Sequence, residues 1–235
     1  MKEAHSERLL IVAAHPDDEV LGCGGTIARF VDAGAAVRII FLAEGITARY
    51  LPEQFDDPVV VDKTARRNRN ALAAAAVLGV PAGQVFVERR YCCRLDQVPL
   101  IDLVRHIEHH VREFLPTRLF THAEHDPNVD HGLVHRAVLA ATRPLGAIPL
   151  RAVYAFEVLS STEWNPQYPF RGQAFFDVTT TIDRKVRALA AYDDEMHLPP
   201  HPRSEEVVRA LARFRGAAAG CHFAEAFQLI RGLDL

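Results

Sequence analysis

The chain has 235 residues, enough for one domain to bury a core without disulfide or metal staples. Its 27 basic and 30 acidic residues leave a net charge of −3, so there is no global field for nucleic acid or an anionic membrane. Cys23, Cys92, Cys93 and Cys221 form no CxxC pair and no regular framework, the usage of a reducing compartment rather than of a secreted disulfide scaffold. The polar opening Met1–Arg8 and the six-residue apolar run after it are too short for a secretory signal. Ala71–Val80, the most apolar stretch, is half the length of a membrane span. A cytoplasmic protein without membrane insertion is expected. Twelve histidines point to metal or proton chemistry.

In chain order, Leu9–Ala14 (LLIVAA) reads as a strand buried on both faces. Gly24–Gly34 has helical spacing, Val37–Leu42 is the next strand, and Lys63–Leu78 is an alanine-rich helix stopped by Gly79 and Pro81. Gln84–Val87 is a weak strand. Pro99–Phe114 is helical, with Ile101, Val104, Ile107 and Val111 on one face. Arg118–Thr121 is a strand, His131–Thr142 a helix, Ala152–Val158 and Phe175–Val178 strands, and Thr181–Met196 and Ser204–Arg215 helices. The alternation predicts a single α/β domain over residues 1–235, a Rossmann-like three-layer fold with a mostly parallel sheet. The last forty residues are expected to form a helical tail, which permits a homo-oligomer without requiring one. The loops Glu44–Asp62, His122–Asp130 and Ser160–Gln173 follow strands and so reach the carboxyl edge, where ligands bind in this architecture.

The first strand breaks into His15-Pro16-Asp17-Asp18-Glu19. Carboxylates this close repel one another unless a cation sits among them, and imidazole with carboxylate suits zinc. An acidic helix cap would explain a lone DDE. Joined to a strand-terminal His-Pro, the group reads better as a site. After the strand Arg118–Thr121 comes His125-Asp126-Pro127-Asn128-Val129-Asp130-His131, with His135 one helical turn on. Alone this is equally a polar loop capped by Asp130. Two ligands from the first motif and one histidine from the second would make a three-ligand site open to water, the pattern of catalytic zinc.

These residues carry a resemblance. AAHPDDEVLGCGGT is similar to the opening signature of the LmbE-like, or PIG-L, family of zinc-dependent N-deacetylases, and DPNVDH resembles that family's second metal motif. The resemblance extends to the arginine-bearing helix ending Leu78-Gly79-Val80 and to the tail. It implies one zinc ion per chain, other divalent metals being alternatives, held by His15, Asp18 and His131. It makes Asp17 the general base and Arg67 a contact to polar substrate groups. The implied reaction is hydrolysis of a linear amide, removing acetyl from the nitrogen of a small N-acetylated sugar, a glycoside or nucleotide sugar. The alternatives are an amidase on a non-sugar conjugate, or a non-hydrolytic nucleotide-binding module using Gly22–Gly25. Asn128 stands where relatives carry a histidine thought to stabilise the tetrahedral intermediate. It offers a neutral amide donor, with His125 or His135 as substitutes for the missing acid. A glutamate of the family pattern is replaced by Asn70.

The remaining features have structural readings. Gly22–Gly25 lacks the GxGxxG spacing and is expected to pack helix tightly against strand, with its amides near the metal. Cys23, Cys92 and Cys93 are read as packing residues. Trp164, the only tryptophan, is read as a buried anchor, or else a sugar-stacking platform. Ser204 is expected to cap a helix after His201-Pro202-Arg203.

Overall fold

The computed structural model describes residues 7–144 and 148–233; Met1–Ser6 of the polar opening lie outside it. A seven-stranded sheet has the order β3-β2-β1-β4-β5-β7-β6. The strands are β1 (Arg8–Ala13), β2 (Ala36–Phe41), β3 (Val85–Val87), β4 (Arg118–His122), β5 (Ala152–Phe156), β6 (Ala174–Asp177) and β7 (Ala224–Gly232). The pairs β3/β2, β2/β1, β1/β4 and β4/β5 are parallel, and β7 runs antiparallel between β5 and β6. The helices are α1 (Asp18–Asp32), α2 (Pro58–Leu78), α3 (Leu100–Phe114), α4 (Val129–Ala141), α5 (Ile182–Leu189) and α6 (Glu205–Ala219).

The central strand shows why three layers form. Leu9, Ile11 and Ala13 pack among residues of α1, α2, α5 and α6, whereas Leu10, Val12 and Ala14 pack against α3 and α4. Successive side chains of a strand face opposite ways, so a continuous apolar run requires cover on both faces. Burying each of the leucine, isoleucine and valine side chains is worth about 1.5–3 kcal/mol. The expected α/β architecture is therefore present. No described helix is long and apolar enough to cross a membrane.

Four details differ from expectation. The tail is helical only to Ala219. Gly220 ends α6 at φ 78°, and the chain returns as β7 into the sheet. The polar Glu225 and Gln228 disguise that strand in the sequence. Glu225 is buried because Lys185 Nζ lies 2.6 Å from its carboxylate. In α3 the buried stripe is Leu103, Val104, Ile107, Val111 and Phe114, and Ile101 is exposed. α2 begins at Pro58, with proline in its first turn, which shortens the loop from Glu44. Finally, α5 stops at Leu189, and the irregular segment after it carries Glu195 towards the carboxyl edge.

The chain runs outward from β1 through β2 to β3, then starts again on the other side of β1 with β4 and β5. This reversal opens a crevice between the carboxyl ends of β1 and β4, the topological switch point of an open sheet. Both histidine motifs begin there.

Candidate active site

The turn after β1 is held in an unusual backbone. Asp17 has φ 119°, a conformation that non-glycine residues adopt only under local constraint. Its amide donates to Glu19 Oε2 at 3.0 Å, and its carbonyl accepts the Val20 and Leu21 amides that start α1. Tyr192 Oη donates to Glu19 Oε1 at 2.7 Å. Burial pushes the Glu19 carboxyl up to about 8, against the hydrogen bond from Tyr192. The strain sends Asp17 and its neighbour Asp18 to different partners.

Asp18 Oδ2 is the meeting point of the histidines. His15 Nδ1 and His131 Nε2 each lie 3.4 Å from it, and the donor atoms of the three residues lie within 4.8 Å of one another. Donors about 2.1 Å from a tetrahedral ion stand about 3.4 Å apart, so the spacing fits a divalent cation. His131 Nε2 is buried with no hydrogen-bond partner, an atom left for such an ion. The other nitrogen of each imidazole faces a carboxylate. His15 Nε2 is 2.9 Å from Asp130 Oδ2, and His131 Nδ1 is 3.1 Å from Asp126 Oδ1. Carboxylates at that position fix the ring and strengthen the ligand.

The carboxylates are anchored in turn. Asp126 accepts from the Ser161 hydroxyl, from Thr162 Oγ1 at 2.5 Å and from the Asn128 amide at 2.9 Å. Asp130 accepts from the Cys93 and Leu95 amides at 2.6 and 3.0 Å. His122 stacks on His131 with centroids 3.9 Å apart, and its Nε2 accepts from the Ala14 amide at 2.8 Å.

Electrostatics follow from this packing. Burial opposes charge on His15 and His131. Hydrogen bonds to Asp130 and Asp18 nonetheless lift His15 to about 10, and the Asp18 and Asp126 carboxylates lift His131 to about 9. Asp18 is held well below the usual carboxylate range, the charge of His131 and hydrogen bonds from His131 and His15 outweighing its burial. Burial, together with the His131 charge, keeps His122 well below its ordinary value, hence neutral. Burial pushes Asp17 up to about 6 against the pull of Arg203.

Beside the cluster lies an open, polar cavity of about 260 Å³, lined by residues from all three predicted loops, among them Arg49, Asn128 and Ser160. Asp17 Oδ2 accepts from Arg203 Nη1 at 2.7 Å and from Arg67 Nη1 at 3.3 Å. Glu195 joins the same guanidinium groups. Its Oε2 accepts from Arg203 Nη1 at 2.6 Å, and its Oε1 accepts from Arg67 and from Arg49 Nη2.

His15, Asp17, Asp18, Arg67, Asn128 and His131 thus all line one cavity, though not all in the expected way. Arg67 is only 2% exposed, and its Nη1 also donates to the Pro16 carbonyl at 3.1 Å; it braces the turn. Asn128, not Asp130, caps α4, its Oδ1 accepting the Asp130 amide at 3.0 Å. His135 is buried with Nδ1 on the His122 carbonyl at 2.8 Å, and His125 packs at a tilt against Tyr168 beside a neighbouring cavity. Neither lines the cavity beside Asp17. Trp164 is 61% exposed, which overturns the buried anchor. The Gly22–Gly25 segment does pack tightly, since a Cβ on Gly22 would lie 2.3 Å from the Phe156 ring. The amides of Gly25 and Thr26, however, donate to Glu225, so a carboxylate takes the place a pyrophosphate would need. Cys23 is buried as expected, but Cys93 is exposed at the cavity.

The roles of Asp126, Asp130, Glu195 and Arg203 escaped the sequence reading. An acid beside each candidate histidine was a usable signal for the first two. Nothing in the local sequence marks Glu195.

The span 10–142, from β1 to α4 and including all three clustered donors, matches the PIG-L family model, described as GlcNAc-PI de-N-acetylase. The chain belongs to the PIG-L family. Its relatives include a 1D-myo-inositol 2-acetamido-2-deoxy-alpha-D-glucopyranoside deacetylase of Mycobacterium sp. (strain JLS), 28% identical over 84% of this chain and 77% of that protein. A 4-oxalmesaconate hydratase of Pseudomonas putida is 30% identical over 80% of this chain and 74% of that protein. Among solved structures, N,N'-diacetylchitobiose deacetylase of Pyrococcus horikoshii matches with a TM-score of 0.76 over 97% of this chain and 85% of that one. At 18% identity that likeness is one of fold.

Proposed function

We propose that this PIG-L protein is a metal-dependent deacetylase that hydrolyses the acetamido group of an amino sugar, a glycoside or nucleotide sugar, to acetate and a free amine. The observation that carries the reading is the convergence of His15 Nδ1, Asp18 Oδ2 and His131 Nε2 beside Asp17 at the wall of a polar cavity. The acetamido sugars in the names of the mycobacterial and Pyrococcus proteins support the substrate class.

His15, Asp18 and His131 would hold the metal, for which two imidazoles and a carboxylate favour zinc. When bound, the ion acidifies water and polarises the acyl carbonyl. Asp130 and Asp126 keep the two imidazoles turned towards the site. Asp17 takes the proton of the attacking water and returns it to the departing nitrogen. Arg203 and Arg67 aim its carboxylate, and Glu195 balances their charge. Asn128 has its Oδ1 engaged in the helix cap, and its Nδ2, 4.0 Å from Cys93 Sγ, is the donor offered to the developing oxyanion. Arg67 lines the substrate cavity and acts chiefly through Asp17. The exposed guanidinium of Arg49 at the rim is better placed to meet sugar hydroxyls.

The test is a screen of N-acetylated sugars and nucleotide sugars for amine release by zinc-loaded protein, with Asp18→Ala as the metal-free control. Release in wild type alone supports the reading. The hydratase relative supports a second one, in which the same base adds water across a double bond. Hydration of an unsaturated dicarboxylate, with no amine from any acetamido sugar, would favour it.

A further inference from the structure

The segment between β3 and α3 carries a second set of donors that deacetylation leaves unused. Cys92 Sγ and Cys93 Sγ stand 3.8 Å apart, and with His15 they form a group whose donor atoms lie within 4.8 Å of one another. Two sulfurs each about 2.3 Å from one tetrahedral ion stand about 3.8 Å apart. A disulfide would bring them to about 2.05 Å. The pair is therefore spaced to share an ion rather than to bond.

The turn that presents them is fastened from both sides. The Cys92 amide donates to Glu44 Oε1 at 2.9 Å and to Thr47 Oγ1 at 3.0 Å, and the Cys93 amide donates to Asp130 Oδ2 at 2.6 Å. Cys93 is held at φ 55°, in the left-handed region that few non-glycine residues occupy. Such strain persists only where the surroundings impose it and gathers at ligand sites. Here it leaves Cys92 buried and Cys93 exposed at the cavity that holds Asp17 and Arg203. Two thiols and an imidazole form a soft donor set, matched to zinc and cadmium rather than to magnesium or calcium. The carboxylates of Glu44 and Asp130 beside the turn favour a cation further.

We propose that Cys92, Cys93 and His15 form a second, soft-metal site for excess zinc or cadmium. The site is inhibitory, because His15 also belongs to the set with Asp18 and His131. Only the inhibition rests on the deacetylase reading; the binding does not.

Cadmium ion titrated into reduced protein reads the site directly through the ultraviolet thiolate-to-metal charge-transfer absorption. The band is expected in wild type, in Cys221→Ser and in Asp18→Ala, and is expected to be lost in Cys92→Ser/Cys93→Ser. That double variant should still retain zinc at the other site by metal analysis, which shows that it folds. Three results would overturn the proposal: no band in wild type, a band that survives in the double serine variant, or a band that vanishes in Asp18→Ala, since the thiols would then belong to one mixed site. For inhibition, each protein's amine release with excess zinc is compared with its own rate without. Wild type should be inhibited and the double variant should resist, and equal inhibition of both refutes the sharing of His15. Because the band needs no turnover, a failed substrate screen leaves this proposal standing, and a missing band leaves the deacetylase reading standing.

Discussion

Replacing Asp17 by asparagine separates chemistry from metal binding at adjacent carboxylates. The backbone tolerates the change, because asparagine is among the residues that accept positive φ. The amide to Glu19 and the carbonyl that starts α1 are main-chain groups and stay in place. Arg203 and Arg67 keep Glu195 as a partner, so neither guanidinium is left buried without a countercharge. Burial already lifts the Asp17 carboxyl to about 6, which means the fold disfavours its charge, and a neutral isostere should not unfold the protein. The metal donors His15, Asp18 and His131 are untouched. What is lost is a base, a group typically worth about 10²–10⁴-fold, or about 2.7–5.4 kcal/mol of barrier at 1.36 kcal/mol per decade. The assay is kcat/KM for amine release on zinc-loaded protein, with zinc content and Tm measured on the same preparation. Unchanged zinc and Tm with a rate down by at least about a hundredfold is expected. A folded, zinc-bound Asp17→Asn enzyme working within about tenfold of wild type would refute the reasoning.

The two histidines one helical turn apart in α4 should behave oppositely: His131→Ala should lose zinc by metal analysis, and His135→Ala should keep it, since its Nδ1 is tied to the His122 carbonyl. Asp126→Asn should weaken zinc affinity by about 10–100-fold in a chelator competition, the usual effect of disturbing a carboxylate that orients a ligating imidazole; unchanged affinity would mean that Ser161, Thr162 and stacking on His122 suffice. Asn128→Asp preserves the cap on α4 but puts charge where a donor is proposed, so turnover should fall about 10²–10³-fold at unchanged Tm; a fully active variant would reduce Asn128 to a capping residue. His110, pushed down to about 4 by burial with the charges of His106 and Arg38, should make the fold acid-sensitive. Between about pH 6.5 and about pH 4 the unfolded chain binds a proton that the folded imidazole refuses, so stability falls as pH falls through that window and is flat above it. His110→Leu should narrow the gap between urea midpoints at about pH 7.5 and about pH 5.

The local chemistry of this chain was legible in its sequence because it lies in contiguous segments. An apolar run ending in His15-Pro16-Asp17-Asp18 announces a buried strand that breaks at a polar edge, and helical spacing marked each α-helix, although α1 starts at Asp18 rather than Gly24 and α5 stops at Leu189 rather than Met196. The two histidine motifs could be paired because each follows a strand. That they meet depended on β4 lying beside β1, with Leu9 opposite Arg118, and strand order leaves no imprint on local periodicity. For the same reason Glu195 and Arg203 were unreadable as partners of Asp17. They arrive from 178 and 186 residues away on irregular chain after α5, and contacts across that distance have no spacing to betray them. The strand β7 was hidden because Glu225 looks like a surface residue until Lys185 is folded against it. Cys92 and Cys93 looked like packing residues until Glu44, Thr47 and Asp130 bent their turn towards the cavity. Residue types and their spacing along one element set what each segment could do; the closure of distant segments around the β1–β4 crevice decided which charges became neighbours.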